Sequence, residues 1–429
     1  MQVFVKSFGC STNFADGETL VGCLAEAGYQ IADSVSAADI VIINTCAVKG
    51  PTENRMIEVL KRVPRNKKLI VAGCLPLINF DRLEREVRFD GVTGPASGNR
   101  IVRIVKRVLN GEKVLALKEA VEAKPELTLS RMQSNPMISI LPICYGCLGS
   151  CAYCCVTFAR GKLRSYSIEE IVERAKKDIA QGAREFWLTS QDTACYGRDL
   201  GTDLAELLDA ICEVRGDFKI RVGMMTPNTT MDILGKLIRS FQSEHVFKFL
   251  HLPVQSGDDR VLGKMNRLYS VDNFKKTVKA FRNQSPQLTL STDIICGFPS
   301  ESERAFDNTL RLIEDVEPDV VNVSKFFPRP RTAAAEMSDN SVPLQEIRLR
   351  SAKASKLAKI IAYEKNRRWI GWDGEILVDE VGKVPDSWIC RNFAYKPIAV
   401  KSPCNLHGKT LRTRVLKAFS THLEGEIIE

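Results

Sequence analysis

The first hundred residues alternate between short apolar runs and longer segments of helical periodicity. The apolar, β-branched runs that predict buried parallel strands lie at residues 3–8, 39–43 and 68–72. The amphipathic segments that predict helices lie at residues 16–27, 52–63 and, after a loop, 98–110. Strands that alternate with helices in this way indicate an open, parallel α/β domain, which we place at residues 1–112.

The alternation stops over residues 113–136, which contain Pro125 and Pro136 and are predicted to be a linker. It resumes over residues 137–344. Six strands are predicted there, at residues 138–143, 185–189, 219–225, 247–252, 288–295 and 320–326. Five helices are predicted between them, at residues 167–181, 202–214, 230–241, 271–283 and 303–315. Since no seventh and eighth unit is visible, this pattern predicts a partial (β/α)6 barrel and not a closed eightfold one.

The carboxyl-terminal part of the chain changes character twice. Residues 345–368 predict one long basic helix, with eight Lys or Arg against two acidic residues. Residues 369–429 are rich in turns, and their short apolar runs at 376–378, 398–400 and 411–415 predict a small β-barrel. The predicted fold class is therefore α/β with an all-β module at the carboxyl end.

Basic residues are concentrated in this last part of the chain. The 429 residues carry a formal net charge of +9, and residues 391–417 hold seven Lys or Arg without any Asp or Glu. Such a concentration favours a polyanionic partner such as nucleic acid, although a solvated helix face accounts for part of it. With 44% hydrophobic and 26% charged residues, the composition predicts packed globular domains.

The sequence shows no signal for export or for membrane insertion. Its start lacks the charged and apolar regions of a signal peptide, and no run of eighteen apolar residues occurs. We therefore expect a cytoplasmic protein without a membrane partner. In a reducing compartment, fourteen cysteines indicate metal or redox chemistry before disulfides, and only four histidines disfavour a His-rich zinc site.

Five cysteines lie within the twelve residues from Cys144 to Cys155. Three of them have the spacing Cys-x3-Cys-x2-Cys and are called the barrel trio below: Cys147, Cys151 and Cys154. This spacing supplies three thiolates to a four-iron cluster and leaves one iron free for a substrate or cofactor. A zinc site that adds Cys144 is conceivable, but structural zinc pairs usually have a longer arm between them. Cys144 and Cys155 are predicted to be bystanders.

Three more cysteines each follow a predicted strand of the first domain. They form the amino-terminal trio: Cys10, Cys46 and Cys74. Because the carboxyl ends of parallel strands meet at one crevice, we expect these thiolates to converge on a second metal centre. Cys23 lies in the middle of a predicted helix and is most simply a core residue.

Polar residues likewise follow the predicted strands of the barrel. They include Gln191, Asp192, Gln255 and Asp293. The rim at the carboxyl ends of the strands carries the chemistry of parallel barrels, so we predict that these four side chains position a cofactor with amine, carboxylate and sugar groups. A capping role explains Asp192 equally well. No side chain is assigned as a catalytic acid or base.

Together these motifs resemble the methylthiotransferases of the radical S-adenosylmethionine superfamily over nearly the whole chain. The barrel trio, followed by residues 159–161, is similar to the radical-cluster signature, and the amino-terminal trio is similar to the family's three-cysteine domain. Residues 369–429 resemble the RNA-binding TRAM domain. Two features depart from the family pattern, and neither replaces a predicted iron ligand. They are the second cysteine, Cys155, directly after Cys154, and Ser300 where relatives usually have glycine.

The resemblance implies two [4Fe–4S] clusters and S-adenosylmethionine as cofactors. The barrel trio would hold the cluster that cleaves S-adenosylmethionine to a 5′-deoxyadenosyl radical, and the amino-terminal trio would hold the cluster that carries sulfur. Residues 44–54 are similar to the archaeal and eukaryotic branch, which converts N6-threonylcarbamoyladenosine next to the tRNA anticodon to its 2-methylthio form. The implied partners are the tRNA anticodon loop, an electron donor and a sulfur donor.

Three other functions remain compatible with these residues. A sister enzyme that methylthiolates an aspartate of a ribosomal protein would have the same iron ligands, and so would one that acts on isopentenyladenosine in tRNA. A non-catalytic iron–sulfur protein that binds RNA is the third alternative. It leaves the open iron and the polar rim unused.

The two trios predict the iron content of the protein. Anaerobic reconstitution should load about eight irons per chain, since each trio binds a cluster of four. Replacing either trio by alanine should halve that number, as measured by iron assay and by electron paramagnetic resonance of the reduced protein. One cluster's worth of iron with all six cysteines intact would contradict the two-cluster hypothesis.

Overall fold

The computed structural model describes residues 1–117, 121–122, 124–337 and 341–428. Residues 118–120 and 123 of the predicted linker, 338–340 of the predicted barrel region and residue 429 lie outside the described residues. Among the described residues, no helix is long and apolar enough to cross a membrane.

The amino-terminal domain is a parallel sheet with helices on both faces. Its strands are β1 (Gln2–Ser7), β2 (Gln30–Ile31), β3 (Ile40–Thr45), β4 (Lys68–Gly73), β5 (Gly91–Thr93) and β6 (Val114–Ala116), in the spatial order β2-β1-β3-β4-β5-β6. Its helices are α1 (Ser11–Glu26), α2 (Gly50–Lys61), α3 (Leu75–Ile78), α4 (Phe80–Glu86) and α5 (Arg100–Leu109). Alternate residues of β3 enter two apolar cores, with Val41 on one face and Ile42 on the other.

The predicted open α/β domain is confirmed, but its sheet is wider than the sequence indicated. Three short strands were missed, β2, β5 and β6, and β6 lies within the predicted linker. Strands of two or three residues are too short to show the apolar periodicity on which the prediction depended.

The central part contains six parallel strands in chain order, with a small antiparallel pair beside them. The strands are β7 (Ile138–Pro142), β8 (Cys144–Tyr145), β9 (Arg164–Ser165), β10 (Glu185–Thr189), β11 (Lys219–Val222), β12 (Phe249–His251), β13 (Thr289–Cys296) and β14 (Val320–Lys325). The sheets β7-β10-β11 and β12-β13-β14 are joined by a parallel bridge between Ile220 and Val246. This arrangement is the predicted partial barrel.

The central part contains eight α-helices among the described residues. They are α6 (Val156–Arg160), α7 (Ile168–Ala180), α8 (Leu204–Cys212), α9 (Pro227–Asp232), α10 (Leu234–Ser240), α11 (Asp259–Lys264), α12 (Val271–Gln284) and α13 (Glu303–Val316). The single helix predicted at 230–241 is in fact α9 and α10, which meet at Ile233.

The carboxyl-terminal part is a long helix followed by a closed barrel. The helix is α14 (Leu344–Arg367), and the barrel strands are β15 (Asp373–Val381), β16 (Ser387–Arg391), β17 (Pro397–Lys401), β18 (Thr410–Ala418) and β19 (Leu423–Ile427). The strands close in the order β15-β16-β17-β19-β18, so the sheet has no open edge. The predicted small β-barrel is confirmed.

The carboxyl-terminal barrel docks on the amino-terminal ends of the central strands. The backbone N–H of Lys248, one residue before β12, donates to the carbonyl of Phe393 at 2.8 Å. The buried ammonium group of Lys396 donates to Asp319, one residue before β14, also at 2.8 Å. This barrel therefore lies at the end of the central strands opposite to the predicted catalytic rim.

Ser300 adopts a backbone conformation that explains the glycine usual at this place. Its φ is +68°, in the left-handed region where a side chain is disfavoured. The segment is held by the neighbouring Glu301, whose buried carboxylate accepts from the backbone N–H of Gly297 and from Arg350.

Replacing Ser300 with glycine should therefore stabilise the protein. The Ser300→Gly variant should gain about 1 kcal/mol in the free energy of unfolding, because the left-handed penalty disappears. Denaturant unfolding measures this gain. Ser302→Gly is the matched control, since Ser302 has a φ of −71° and its hydroxyl caps α13, so that glycine there should not stabilise. No gain at Ser300 would show that its conformation carries no strain.

Candidate active site

The amino-terminal trio converges at the carboxyl edge of the first sheet. Thr45 and Gly73 are register partners on adjacent strands, and Cys46 and Cys74 follow them directly. Cys10 follows β1, the other neighbour of β3, and is the residue that precedes α1. The amino end of α1 favours negative charge, so its direction suits a thiolate ligand at Cys10.

Two glycines allow the strand ends to approach one another. Gly9 has a φ of +113°, and a Cβ on it would lie only 2.6 Å from the Cβ of Cys46. Gly73 has a φ of +93°, and a Cβ there would lie 2.3 Å from the carbonyl oxygen of Thr45. Since no other residue fits either position, the two glycines keep the cysteine-bearing loops in contact.

A buried arginine from the central part completes this site. Arg160, the last residue of α6, is only 2% exposed and forms an ion pair with Asp16 of α1 at 2.8 Å. The same guanidinium nitrogen donates to Asn13 at 3.2 Å, and Tyr145 donates its hydroxyl to Asp16 at 2.7 Å. The other terminal nitrogen of Arg160, Nη1, is buried without a hydrogen-bond partner among the described residues.

The charges around the amino-terminal trio suit an anionic cluster. Burial raises the pKa of Cys74 to about 12, and the guanidinium of Arg160 opposes that rise. Burial likewise raises the pKa of Cys46. Without iron these thiols stay protonated at neutral pH, so cluster binding must release protons. The unpaired Nη1 of Arg160 is a donor available to a sulfide or thiolate, and the site therefore fits an iron–sulfur cluster.

The barrel trio lies in the loop between β8 and α6. The backbone N–H of Gly146 donates to Gln191 at 2.8 Å, and the N–H of Ala152 donates to the carbonyl of Met265 at 2.9 Å. Asn266 donates to the carbonyl of Ser150 at 2.8 Å. The loop is thus held in place from several sides by the polypeptide itself.

Space and charge at the barrel trio also suit a cluster. A Cβ on Gly149 would lie 3.4 Å from the sulfur of Cys147 and 3.7 Å from that of Cys151, so glycine leaves room beside the two sulfurs. Arg267 donates to the sulfur of Cys151 at 3.3 Å, and its Nε is buried without a hydrogen-bond partner among the described residues. Burial raises the pKa of Cys147 to about 11 and that of Cys154 to about 12.

Within the described ranges, no three His, Cys, Asp or Glu side chains are close enough to bind one metal ion. Each thiolate of a four-iron cluster binds a different iron, so this finding concerns mononuclear sites only.

One cavity of about 370 Å³ is lined by Cys154 of the barrel trio and by the loop that follows Cys46, while the three cysteines of the amino-terminal trio are not among its lining residues. Cys154 and Cys155 line one side, and Val48 and Lys49, which follow Cys46 closely, line another. The carboxyl ends of the central strands contribute His251, Gln255, Asp293, Asn322 and Ser324. Its size is within the range of small-molecule sites.

Two of the four predicted rim residues reach this cavity. Asp293 accepts from His251 at 3.2 Å and from Asn322 at 2.7 Å. Burial raises the pKa of Asp293, but the hydrogen bonds from His251 and Asn322 and the charges of His251 and Lys49 outweigh that effect, and the net pKa is lowered. Gln255 has a φ of +71°, and its backbone bonds to the carbonyl of Asp293 and the N–H of Ile295.

The other two rim residues have structural contacts. Gln191 holds Gly146, next to the barrel trio, and therefore acts on the cluster loop. Asp192 accepts from the N–H groups of Ala194 and Thr226 and from the hydroxyl of Thr229, at 2.9–3.2 Å. The oxygens of Asp192 are therefore engaged in capping. The sequence favoured this role and a cofactor-positioning role equally. Contact of these four side chains with a cofactor stays a prediction.

Sequence reasoning missed three residues of this site. Asn322 is a polar interruption in the β-branched run of β14, which is a signal that could have identified it. Lys49 belongs to the 44–54 motif but was given no role. Arg267 had no local signal, since it meets Cys151 only through the tertiary fold.

Comparison with known proteins identifies the family. Residues 141–313 match the Radical SAM superfamily, and residues 2–94 match the uncharacterized protein family UPF0004. The "Probable threonylcarbamoyladenosine tRNA methylthiotransferase" of Pyrococcus horikoshii is 42% identical over 100% of both chains. The chain belongs to the threonylcarbamoyladenosine tRNA methylthiotransferase family.

A eukaryotic relative agrees with this assignment, and a distant structural neighbour shares the fold. The "Threonylcarbamoyladenosine tRNA methylthiotransferase" of Xenopus laevis is 33% identical over 100% of this chain and 77% of its own. The radical S-adenosylmethionine methyltransferase TsrM of Kitasatospora setae, solved with a S-adenosylmethionine analogue, has a TM-score of 0.58 and 11% identity. The match covers 78% of this chain and 74% of that chain. At this identity the likeness shows the fold alone.

The buried ion pair at Arg160 predicts a linked loss of stability and iron. Arg160→Met leaves Asp16 buried beside Tyr145 alone, so the free energy of unfolding of the iron-free protein should fall by about 3–5 kcal/mol. In a chain whose barrel trio is replaced by alanine, the same variant should also bind less iron, and Arg160→Lys should recover part of it. Chemical denaturation and iron assays measure the two effects.

Arg174→Met provides the matched control for this prediction. Arg174 is also buried and ion-paired, with Asp178, so its loss should destabilise the fold without lowering the iron bound by the amino-terminal trio. Equal iron in the Arg160→Met and parent chains would contradict a role at that site.

Proposed function

We propose that this protein is a tRNA methylthiotransferase that converts N6-threonylcarbamoyladenosine, next to the anticodon, to its 2-methylthio form. The observation that supports the proposal is a cavity lined both by Cys154 of the barrel trio and by the loop that follows Cys46, because sulfur insertion at a carbon needs a hydrogen-abstracting centre and a sulfur-bearing centre at one substrate. The full-length similarity to proteins of that name supports the same activity.

The cofactors supply the difficult chemistry. When bound, the barrel-trio cluster with S-adenosylmethionine supplies one-electron chemistry that removes hydrogen from a carbon without an acidic proton, and the amino-terminal cluster supplies the sulfur. Such a step requires no general base, and we assign no general base among the residues that line the cavity. The protein's own part is to bind, to orient and to exclude water.

We assign the tasks of binding, orienting and excluding water to separate groups of residues in and around the cavity. Asp293, held by His251 and Asn322 with a lowered pKa, accepts hydrogen bonds from the amine or ribose of the cofactor. Gln255 contacts the same ligand, while Gln191 and Asp192 hold the loops that form the site. The aromatic side chains that line the cavity exclude water from it: Tyr153, Phe326 and Phe327.

The RNA follows the outside of the barrel in this proposal. The carboxyl-terminal barrel lies at the far end of the central strands, and α14 connects that end with the rim. With 24 residues α14 is about 36 Å long. Arg350 meets Glu301 near the rim, and Asn366 accepts from Lys396 at the other end. The exposed basic side chains of α14 and the TRAM-like barrel bind the phosphate backbone, which makes the affinity dependent on salt.

The remaining partners follow from this chemistry. An electron donor must reduce the barrel-trio cluster, and a sulfur donor must renew the sulfur after each turnover. Fourteen free cysteines and the oxygen-sensitive clusters suit a reducing compartment, and we propose the cytoplasm.

The experiment that tests the function compares tRNA from cells with and without the gene. Nucleoside mass spectrometry should show that 2-methylthio-N6-threonylcarbamoyladenosine disappears while its unthiolated precursor accumulates. Complementation with a chain whose barrel trio is replaced by alanine should not restore the product. An unchanged product level in the deletion strain would overturn the proposal, and loss of a 2-methylthio isopentenyl nucleoside instead would assign the sister activity.

A further inference from the structure

The cavity lined by Cys154 and by the loop after Cys46 contains two lysines that form no ion pair with a described carboxylate. They are Lys49, from the loop that follows Cys46, and Lys325, the last residue of β14. Within the described part of the chain, no carboxylate lies in ion-pairing distance of either ammonium group. The cavity's own carboxylate, Asp293, is hydrogen-bonded by His251 and Asn322, and the more distant charge of Lys49 also helps to lower its pKa. The cavity therefore has an excess of positive charge.

Lys49 is held in a defined position at the mouth of the cavity. Its ammonium group donates to the hydroxyl of Ser324 on β14 at 2.7 Å, although 275 residues separate the two in sequence. It directly precedes α2, and a Cβ on the next residue, Gly50, would lie 3.2 Å from the ring of Phe327. The amino end of the twelve-residue helix α2 adds a partial positive charge at the same place.

A third cation, Arg329, lines the cavity but is already neutralised. It forms a buried ion pair with Glu53 of α2, which is also held by Arg82 at 2.8 Å. Lys49 bonds to a neutral hydroxyl instead, so its charge stays available to a ligand.

The modified base has a group that matches this charge. The threonylcarbamoyl substituent ends in a carboxylate and a hydroxyl, whereas an isopentenyl substituent is neutral and apolar. A site that contained the first group without a cation would bury an unpaired charge. We propose that Lys49, positioned by Ser324, binds the threonyl carboxylate and thereby selects the threonylcarbamoylated base. This inference rests on the proposed function.

The alternative role for Lys49 is purely structural. A hydrogen bond that joined the two domains would affect every substrate equally, whereas a carboxylate-binding lysine affects only the charged one. The ratio between a charged and a neutral form of one substrate therefore separates the two roles.

The first experiment changes the substrate and leaves the protein intact. Cluster-loaded protein without reductant is titrated, at fixed salt, with a fluorescent anticodon stem-loop RNA that carries N6-threonylcarbamoyladenosine or its methyl ester. The ester removes the negative charge and retains the rest of the group. We expect it to bind the wild type about tenfold or more weakly, the size expected for a charge-assisted hydrogen bond.

The second experiment removes the lysine. In Lys49→Met, the acid and the ester should bind with equal affinity, because the partner of the charge is gone. Ser324→Ala should give an intermediate ratio. Lys276→Met is the matched control: Lys276 is exposed on α12 and pairs only with Asp272, so this variant should keep the ratio of the wild type. Thermal unfolding shows whether each variant is folded.

The outcomes distinguish this inference from the function on which it rests. If the wild type methylthiolates the acid-form RNA but binds acid and ester equally, the role of Lys49 is wrong and the proposed function stands. An acid-to-ester ratio in Lys49→Met equal to that of the wild type would also overturn it. If reduced wild-type protein with S-adenosylmethionine adds no methylthio group to the acid-form RNA, the proposed function itself fails.

Discussion

The buried ion pair between Arg160 and Asp16 is the contact on which the site depends. A charge that is almost completely removed from water must be paired, so the guanidinium of α6 and the carboxylate of α1 can separate only at a cost of several kcal/mol. Arg160 follows the barrel trio by six residues, and Asp16 follows Cys10 by the same number. The pair therefore joins the two cysteine-bearing parts of the chain.

The cavity and the carboxyl-terminal barrel lie at opposite ends of the central strands. The carboxyl ends of parallel strands form the rim with the cavity, as in other parallel barrels. The opposite ends bear the carboxyl-terminal barrel, held by buried contacts such as that between Lys396 and Asp319. The long helix α14 is the physical connection between the two ends. A bound RNA that used both surfaces would have to span the barrel, which suits an extended anticodon arm and not a single base.

Strong periodicity made the longer elements predictable, and weak periodicity hid the shorter ones. All six central parallel strands and the longer helices were expected, since they lie in apolar or amphipathic runs long enough to show a repeat. Even β12, with three residues, lies within the longer apolar run 247–252. Strands β2, β5 and β6 have only two or three residues, and pairing with the sheet determines them more than their own composition. Ser300 shows the complementary case, because its departure from the usual glycine became interpretable only once its positive φ was known.

The sequence by itself singled out the six cysteines that are predicted to bind the clusters, the order of the main parts of the chain and, through a family resemblance, the class of reaction. The spacing within one loop and the position of a residue after a strand are local properties that can be read along the chain. Only the tertiary structure decided which side chains meet in the cavity. Lys49 and Ser324 are 275 residues apart, and Arg267 reaches Cys151 across 116 residues. Such pairs come together through the packing of separate elements, which no local pattern records.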